Sequence, residues 1–131
     1  METLGKHYIA EFYGCNRTFI DDVDRIENIL LKAVEISNAT MIKPFFHKFS
    51  PQGVTGVILI SESHLSIHTW PERGYAAVDL FSCGDFNYNE TFDYIEREIE
   101  SEKAFVSVIQ RGLIHDREQD FSPIKLDEIK Y

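Results

Sequence analysis

The sequence predicts an α+β fold, a two-layer α/β sandwich in which a mainly antiparallel sheet is covered by two helices on one face. Two segments, 18–37 and 88–100, carry apolar residues at helical spacing. Between them lie closely spaced runs of β-formers, joined by turns too short for crossover helices, so these strands pair antiparallel. The chain of 131 residues is long enough for one domain with a real core.

The elements follow in order. Residues 6–13, from Lys6 to Tyr13, read as a strand, and Gly14 and Asn16 punctuate it. In 18–37, Val23, Ile26, Leu30, Ala33 and Val34 recur at spacings of three and four and mark one apolar helix face, with Asn38 as a stop. Residues 40–49 are extended, with Pro44 favouring an edge or a bend. Pro51-Gln52-Gly53 is a turn, Val54–Ile60 a buried strand, Leu65–Trp70 a second ended by Pro71, and Tyr75–Cys83 a third. The helix at 88–100 aligns Phe92, Ile95 and Ile99, and Ala104–Gln110 is a last strand. From Gly112 the tail is polar, of mixed charge, and expected to pack loosely. The second sheet face needs a cover, for which another copy of the chain is a candidate.

A formal net charge of −9 argues against a nucleic-acid footprint and against anionic membranes. No apolar run approaches the ~20 residues of a membrane span, and Met1–Lys6 lacks the marks of a signal peptide, so a cytoplasmic protein is expected. Cys15 and Cys83 are too few for a disulfide framework.

Chemistry concentrates in Ser61–Glu72, directly after the apolar run Val57–Ile60. On a strand, His64, Ser66 and His68 share one face, which by spacing alone fits either a site or an ordinary polar strand face. The chain has five histidines, His7, His47, His64, His68 and His115. The pair His64 and His68 has a helical ligand spacing, but on a strand the two residues are about 13 Å apart. No third ligand has motif spacing, and no metal is expected. A Gly-x-Ser-x-Gly elbow and a phosphate-binding glycine loop are both missing. Cys83, at a strand end before Gly84-Asp85, fits either a displayed reactive thiol or a core residue.

The segment from Gly53 to Gly84, and above all Glu62-Ser63-His64 … His68-Thr69-Trp70-Pro71-Glu72, closely resembles the short prokaryotic S-adenosylmethionine decarboxylase proenzymes. Gly5-Lys6-His7 … Glu11-Phe12 resembles the same family, and the likeness runs from residue 1 to about residue 112. The resemblance implies self-cleavage between Glu62 and Ser63, leaving 1–62 as one subunit and 63–131 as the other. It implies attack of the Ser63 hydroxyl on the Glu62 carbonyl, with Thr55 donating to the oxyanion and His68 removing the Ser63 α-proton. The Ser63 remnant becomes a covalent pyruvoyl group, which holds the substrate amine as a Schiff base. Cys83 matches the family's proton donor. Phe49 and His68 match positions flanking the adenine, and Glu72 matches the ribose ligand. Glu11 is a candidate pocket carboxylate or a solvated strand residue.

Two positions depart from many relatives: Thr55 stands where serine is common, and Arg73 where tyrosine or histidine is common. The implied substrate is S-adenosylmethionine, the implied product the aminopropyl donor for spermidine synthesis, and the implied assembly a homodimer of processed protomers with shared active sites. Two alternatives remain open at this point. One keeps the pyruvoyl chemistry but acts on arginine or ornithine. The other is an unprocessed chain that binds a ligand or activates a partner.

Overall fold

The computed structural model describes residues 3–61, 63–83 and 87–113, together with the backbone of a last strand at 125–130. The order is β1 (Thr3–Tyr13), α1 (Val23–Ile36), β2 (Met41–Lys48), β3 (Val54–Ile60), β4 (Ser63–Trp70), β5 (Tyr75–Ser82), α2 (Tyr88–Glu98), β6 (Lys103–Leu113) and β7 (Lys125–Lys130). Single helical turns at Phe19–Asp21 and Pro71–Arg73 precede α1 and follow β4. The strands form one antiparallel sheet in the order β2-β3-β4-β5-β1-β6-β7, the α+β architecture that the periodicity predicts.

Helix α1 begins five residues later than the apolar pattern suggests, because Asp22 caps it: its side chain accepts the Arg25 backbone N–H. Asn38, with φ of 64°, takes the left-handed conformation that ends the helix. Ile26, Ile29, Leu30, Ala33 and Val34 are buried along one stripe, as are Phe92, Ile95 and Ile99 at and beyond α2. Both stripes join the core, which takes alternate residues of the sheet: Tyr8, Ala10 and Phe12 of β1, Leu65 and Ile67 of β4, Ala76, Val78 and Leu80 of β5. Burying each large side chain of this set removes apolar surface worth about 1.5–3 kcal/mol.

The tail is a correction. Instead of packing loosely throughout, it returns at Lys125–Lys130 as an edge strand paired with β6. Edge pairing uses backbone N–H and C=O groups and places little demand on side chains, so composition conceals it. Strand β2 closes the opposite edge, where Pro44 costs no central ladder bond. Among the described residues no helix is long and apolar enough to cross a membrane.

The helices cover one face. The other face displays the remaining alternate residues, which are half-buried or exposed: His7, Glu11 and Tyr13 on β1, Asp79 and Phe81 on β5, His64, Ser66 and His68 on β4. Phe45 and Leu59 stand 70% and 48% exposed on the same face, an apolar surface with nothing over it among the described residues.

Candidate active site

Strand register sorts the uncovered face into rows. At one end, His47, Thr55, His68, Ala77, Glu11 and Phe105 lie directly opposite one another across β2, β3, β4, β5, β1 and β6. Four residues further along each strand, Lys43, Leu59, His64, Phe81, His7 and Ile109 form a second row. The two rows are about 13 Å apart at the usual rise of a strand.

The first row holds a hydroxyl–imidazole pair. Thr55 Oγ1 and His68 Nδ1 are 3.0 Å apart, because β3 and β4 place these residues directly opposite each other. Beside them, Tyr75 donates its hydroxyl to Glu11 Oε1 at 2.6 Å, and Tyr13 donates to Oε2 at 3.2 Å. Burial, then the Glu11 hydrogen bond and charge, raises the Tyr75 pKa. Burial and then Glu11 do the same for Tyr13. Both phenols therefore stay protonated and act as donors to a carboxylate that can only accept. Glu11 is thus a seated carboxylate and not a loosely solvated strand residue.

Aromatic rings extend this end. His68 and Trp70, Trp70 and Tyr75, and Tyr75 and Tyr13 follow one another at centroid distances of 6.4, 5.3 and 5.3 Å. On the other side, Phe49 meets His47 edge-to-face at 4.6 Å and is 46% exposed. Glu72 sits in the turn after β4, where it lines an open cleft of about 600 Å³ with Arg17, Asp21 and Gln52. The structure thus gathers Thr55, His68, Phe49, Glu72 and Glu11 at one end of the sheet.

Ser63 and Cys83 lie at the other end. Ser63 opens β4 opposite Ile60, the last residue of β3. Glu62, the other side of the expected cleavage point, lies outside the described residues, as do Gly84 and Asp85. Ser63 is half-buried. Cys83 follows directly on β5, is exposed, and shares this end with Ser63, since His64 pairs with Phe81. The Phe81 ring crosses β1 at Gly5, where an added Cβ would come within 2.8 Å of it. His7 and His64 flank the ring, each with a centroid distance of 6.1 Å. His7 Nε2 is 3.3 Å from Asp79 Oδ1.

One chain therefore does not bring Ser63 to His68. The two are five residues apart on a single strand, which is about 17 Å. Tyr13, Trp70 and Tyr75 join this end of the sheet without any motif in the sequence to mark them. Their alternation with core residues was visible, but which strand they face depends on register. Among the described residues no three His, Cys, Asp or Glu side chains cluster to hold a metal ion.

Comparison with known proteins identifies the family. The family model described as S-adenosylmethionine decarboxylase matches residues 6–112. A Methanococcus maripaludis S-adenosylmethionine decarboxylase proenzyme is 51% identical over 119 residues, which is 90% of this chain and 98% of that protein. The proenzyme of Caldanaerobacter subterraneus subsp. tengcongensis is 49% identical over 114 residues, 86% of this chain and 92% of the relative. Among solved structures, the adenosylmethionine decarboxylase from Aquifex aeolicus superposes with a TM-score of 0.80 at 38% identity, covering 90% of this chain and 98% of that one. The Trypanosoma brucei AdoMetDC-delta26 monomer, at 17% identity and a TM-score of 0.62, is similar in fold alone; the match covers 96% of this chain and 65% of that one. With the matched model spanning most of the strands and both helices, the chain belongs to the S-adenosylmethionine decarboxylase family.

Proposed function

We propose that this chain is a self-processing, pyruvoyl-dependent decarboxylase of S-adenosylmethionine that works as a homodimer with two shared active sites. The observation that carries the reading is the split of its reactive groups. Ser63 and Cys83 stand at one end of the sheet, and Thr55 and His68 stand on the uncovered face about 17 Å away at the other. A second copy related by a two-fold axis across that face lays each end over its opposite. Ser63 of one chain then meets Thr55 and His68 of the other, and the apolar face is buried in the same step.

The local chemistry suits the task. Ser63 Oγ attacks the Glu62 carbonyl carbon, the amide nitrogen leaves, and the chain is held by an ester. Nucleophile and target are adjacent in the chain, so no association entropy is lost. If His68 donates from Nδ1 to Thr55 Oγ1, two consequences follow from the 3.0 Å contact. The Thr55 hydroxyl proton is left to stabilise the oxyanion, and the Nε2 lone pair is left to accept the Ser63 α-proton. The ester then leaves by elimination with Glu62 as its new carboxyl terminus, and the dehydroalanine left at residue 63 tautomerises to an imine that water hydrolyses, releasing ammonia and leaving a pyruvoyl ketone.

The residues around Ser63 fit the resulting pyruvoyl group: a half-buried chain start with a thiol at the same sheet end. Its ketone supplies the electron sink for decarboxylation. Cys83 holds the proton that returns to the substrate carbon. Phe49 and His68 flank the adenine, Glu72 takes the ribose hydroxyls, and the aromatic wall with Glu11 suits a sulfonium cation. The product is the aminopropyl donor for spermidine synthesis.

Denaturing mass spectrometry tests the reading. Two fragments divided before residue 63 are expected, and borohydride with S-adenosylmethionine should add substrate mass to the 63–131 fragment alone. A single intact chain after long incubation overturns the proposal. Decarboxylation of arginine or ornithine, and not of S-adenosylmethionine, would overturn the substrate.

Two substitutions separate the steps. Cys83→Ala is expected to cleave normally but to lose about 10²–10⁴-fold in kcat, the usual worth of a placed acid. Thr55→Val, which keeps the shape and removes the hydroxyl, is expected to slow cleavage about 10²–10³-fold, as loss of an oxyanion donor does. The fraction of intact chain followed over time measures the latter.

A further inference from the structure

We infer that Asp21 is a positioning residue for substrate binding: from outside the sheet it fixes the loop that presents Phe49, from a turn whose Ile20 carbonyl is tied to the strand that presents His68. The inference rests on the decarboxylase reading above, in which Phe49 is a wall of the adenine site.

Asp21 closes the helical turn before α1, and neither the sequence motifs nor the family comparison assigns it a role. Its Oδ1 accepts the backbone N–H of Gly53 at 2.8 Å and pairs with Lys48 Nζ at 3.0 Å. Lys48 Nζ donates in turn to the Phe49 carbonyl at 2.9 Å. The loop is closed on itself by the Phe49 N–H, which donates to the Gly53 carbonyl at 2.8 Å. One carboxylate oxygen therefore holds both ends of the 49–53 loop. Gly53 has φ of 109°, so its amide direction depends on a conformation that other residues rarely adopt.

The same turn also reaches β4. Thr69 is buried between His68 and Trp70, and its Oγ1 donates to the Ile20 carbonyl at 2.7 Å and accepts the Val54 N–H at 2.9 Å. Residues 20 and 21 thus hold the Phe49 loop with one hand and the His68 strand with the other. The cleft beside them runs between Gln52 and Glu72, with Asp21 in its lining.

The Asp21–Lys48 pair is about a third exposed on each side, so the ion pair alone contributes little. The hydrogen bond from a backbone N–H to a charged acceptor is the stronger part. The Gly53 N–H is also the largest cause holding the Asp21 pKa below its ordinary value, with Lys48 adding to it. Asp21 therefore remains a charged acceptor through the neutral range. The effect expected of removing it is on where Phe49 rests, not on Ser63 or Cys83, which lie at the far end of the sheet.

Asp21→Ala and Asp21→Asn in the full chain test this. Asp21→Ala is expected to self-cleave to completion and to keep kcat within about twofold, while KM for S-adenosylmethionine rises about tenfold, the scale of one lost hydrogen bond. Asp21→Asn, which can still accept from Gly53, is expected to recover most of that loss. Calorimetry with 5′-methylthioadenosine, which lacks the aliphatic amine that forms the Schiff base, should report the same weakening without any turnover. Backbone hydrogen exchange across residues 46–56 should quicken in Asp21→Ala. Unchanged exchange, or unchanged affinity and KM despite quickened exchange, overturns the positioning role. Failure of wild-type protein to bind 5′-methylthioadenosine overturns it through the assignment of Phe49. Wild-type protein that binds the nucleoside but decarboxylates nothing would strike the decarboxylase reading, and the Asp21→Ala affinity would still decide this one.

Discussion

Ser63→Ala protein is expected to stay one uncleaved chain, however long it is incubated, and to decarboxylate nothing. The methyl group cannot attack the Glu62 carbonyl, so no ester forms, no elimination follows and no ketone is made. The loss is not that of one helpful group. The electron sink itself is missing, so activity should fall by at least about 10⁶-fold, the lower bound of what enzymes achieve over the uncatalysed reaction. Folding should be unaffected, because Ser63 opens β4 at the sheet end and the core residues Leu65 and Ile67 are untouched. Denaturing mass spectrometry, a thermal melt and carbon dioxide release measure the three parts. Active Ser63→Ala protein would remove the processing mechanism altogether.

The second large effect is a rescue. Ser63→Ala and His68→Ala chains, each expressed alone, are both expected to be intact and inactive. Co-expressed with distinguishable tags, they should restore activity. A mixed dimer has one site built from the intact Ser63 of one chain and the intact His68 of the other, and a second site with both residues missing. With random pairing, about half of the His68→Ala chains should be cleaved, no Ser63→Ala chain should be cleaved, and about a quarter of the wild-type sites should work. That asymmetry is sharp, because the chain lacking the base is the one that gets cut. A mixture that stays inert, with every His68→Ala chain intact, would place Ser63 and His68 in the same chain's site and contradict the strand arithmetic that separates them.

The two experiments probe different steps, precursor chemistry and assembly. The first asks whether the hydroxyl at residue 63 is the precursor of the reactive group. The second asks whether the uncovered face is completed by another copy. The face itself favours completion, since Phe45 and Leu59 stand exposed on it beside half-buried His7, Asp79 and Glu11.

Much of the fold was legible because local chemistry and tertiary placement agree. Ile26, Leu30, Ala33 and Val34 lie at helical spacing and are buried, and the alternation from Leu65 to Thr69 divides β4 into a core side and an outer side. The start of α1 was placed too early because apolar spacing says nothing about capping, which Asp22 decides through the Arg25 N–H. The strand at 125–130 was missed because edge pairing is made by backbone groups.

The site was legible in a different sense. The run from Glu62 to Glu72 holds candidate reactive residues, but the strand neighbours of those from Ser63 onward are not specified by sequence. That Thr55 touches His68 follows from the β3–β4 register, and that Glu11 lies two strands from His68, in the same row, follows from β1 entering the middle of the sheet. The approximate separation of Ser63 from His68 follows from strand rise alone, since both belong to one short segment.

By itself, then, the sequence determined which side chains share a face, which helices cover the sheet, and which residue types are present for acyl attack and proton transfer. These depend on spacing along one chain, where geometry is periodic. Only the tertiary structure decided how those groups are partitioned. Register sets Thr55 and His68 at one end and Ser63 and Cys83 at the other, and the turn at Asp21 reaches across to the loop of Phe49. The physical reason is that hydrogen-bond pairing joins residues far apart in sequence, and nothing in a residue's own neighbourhood records which distant backbone amide it will meet.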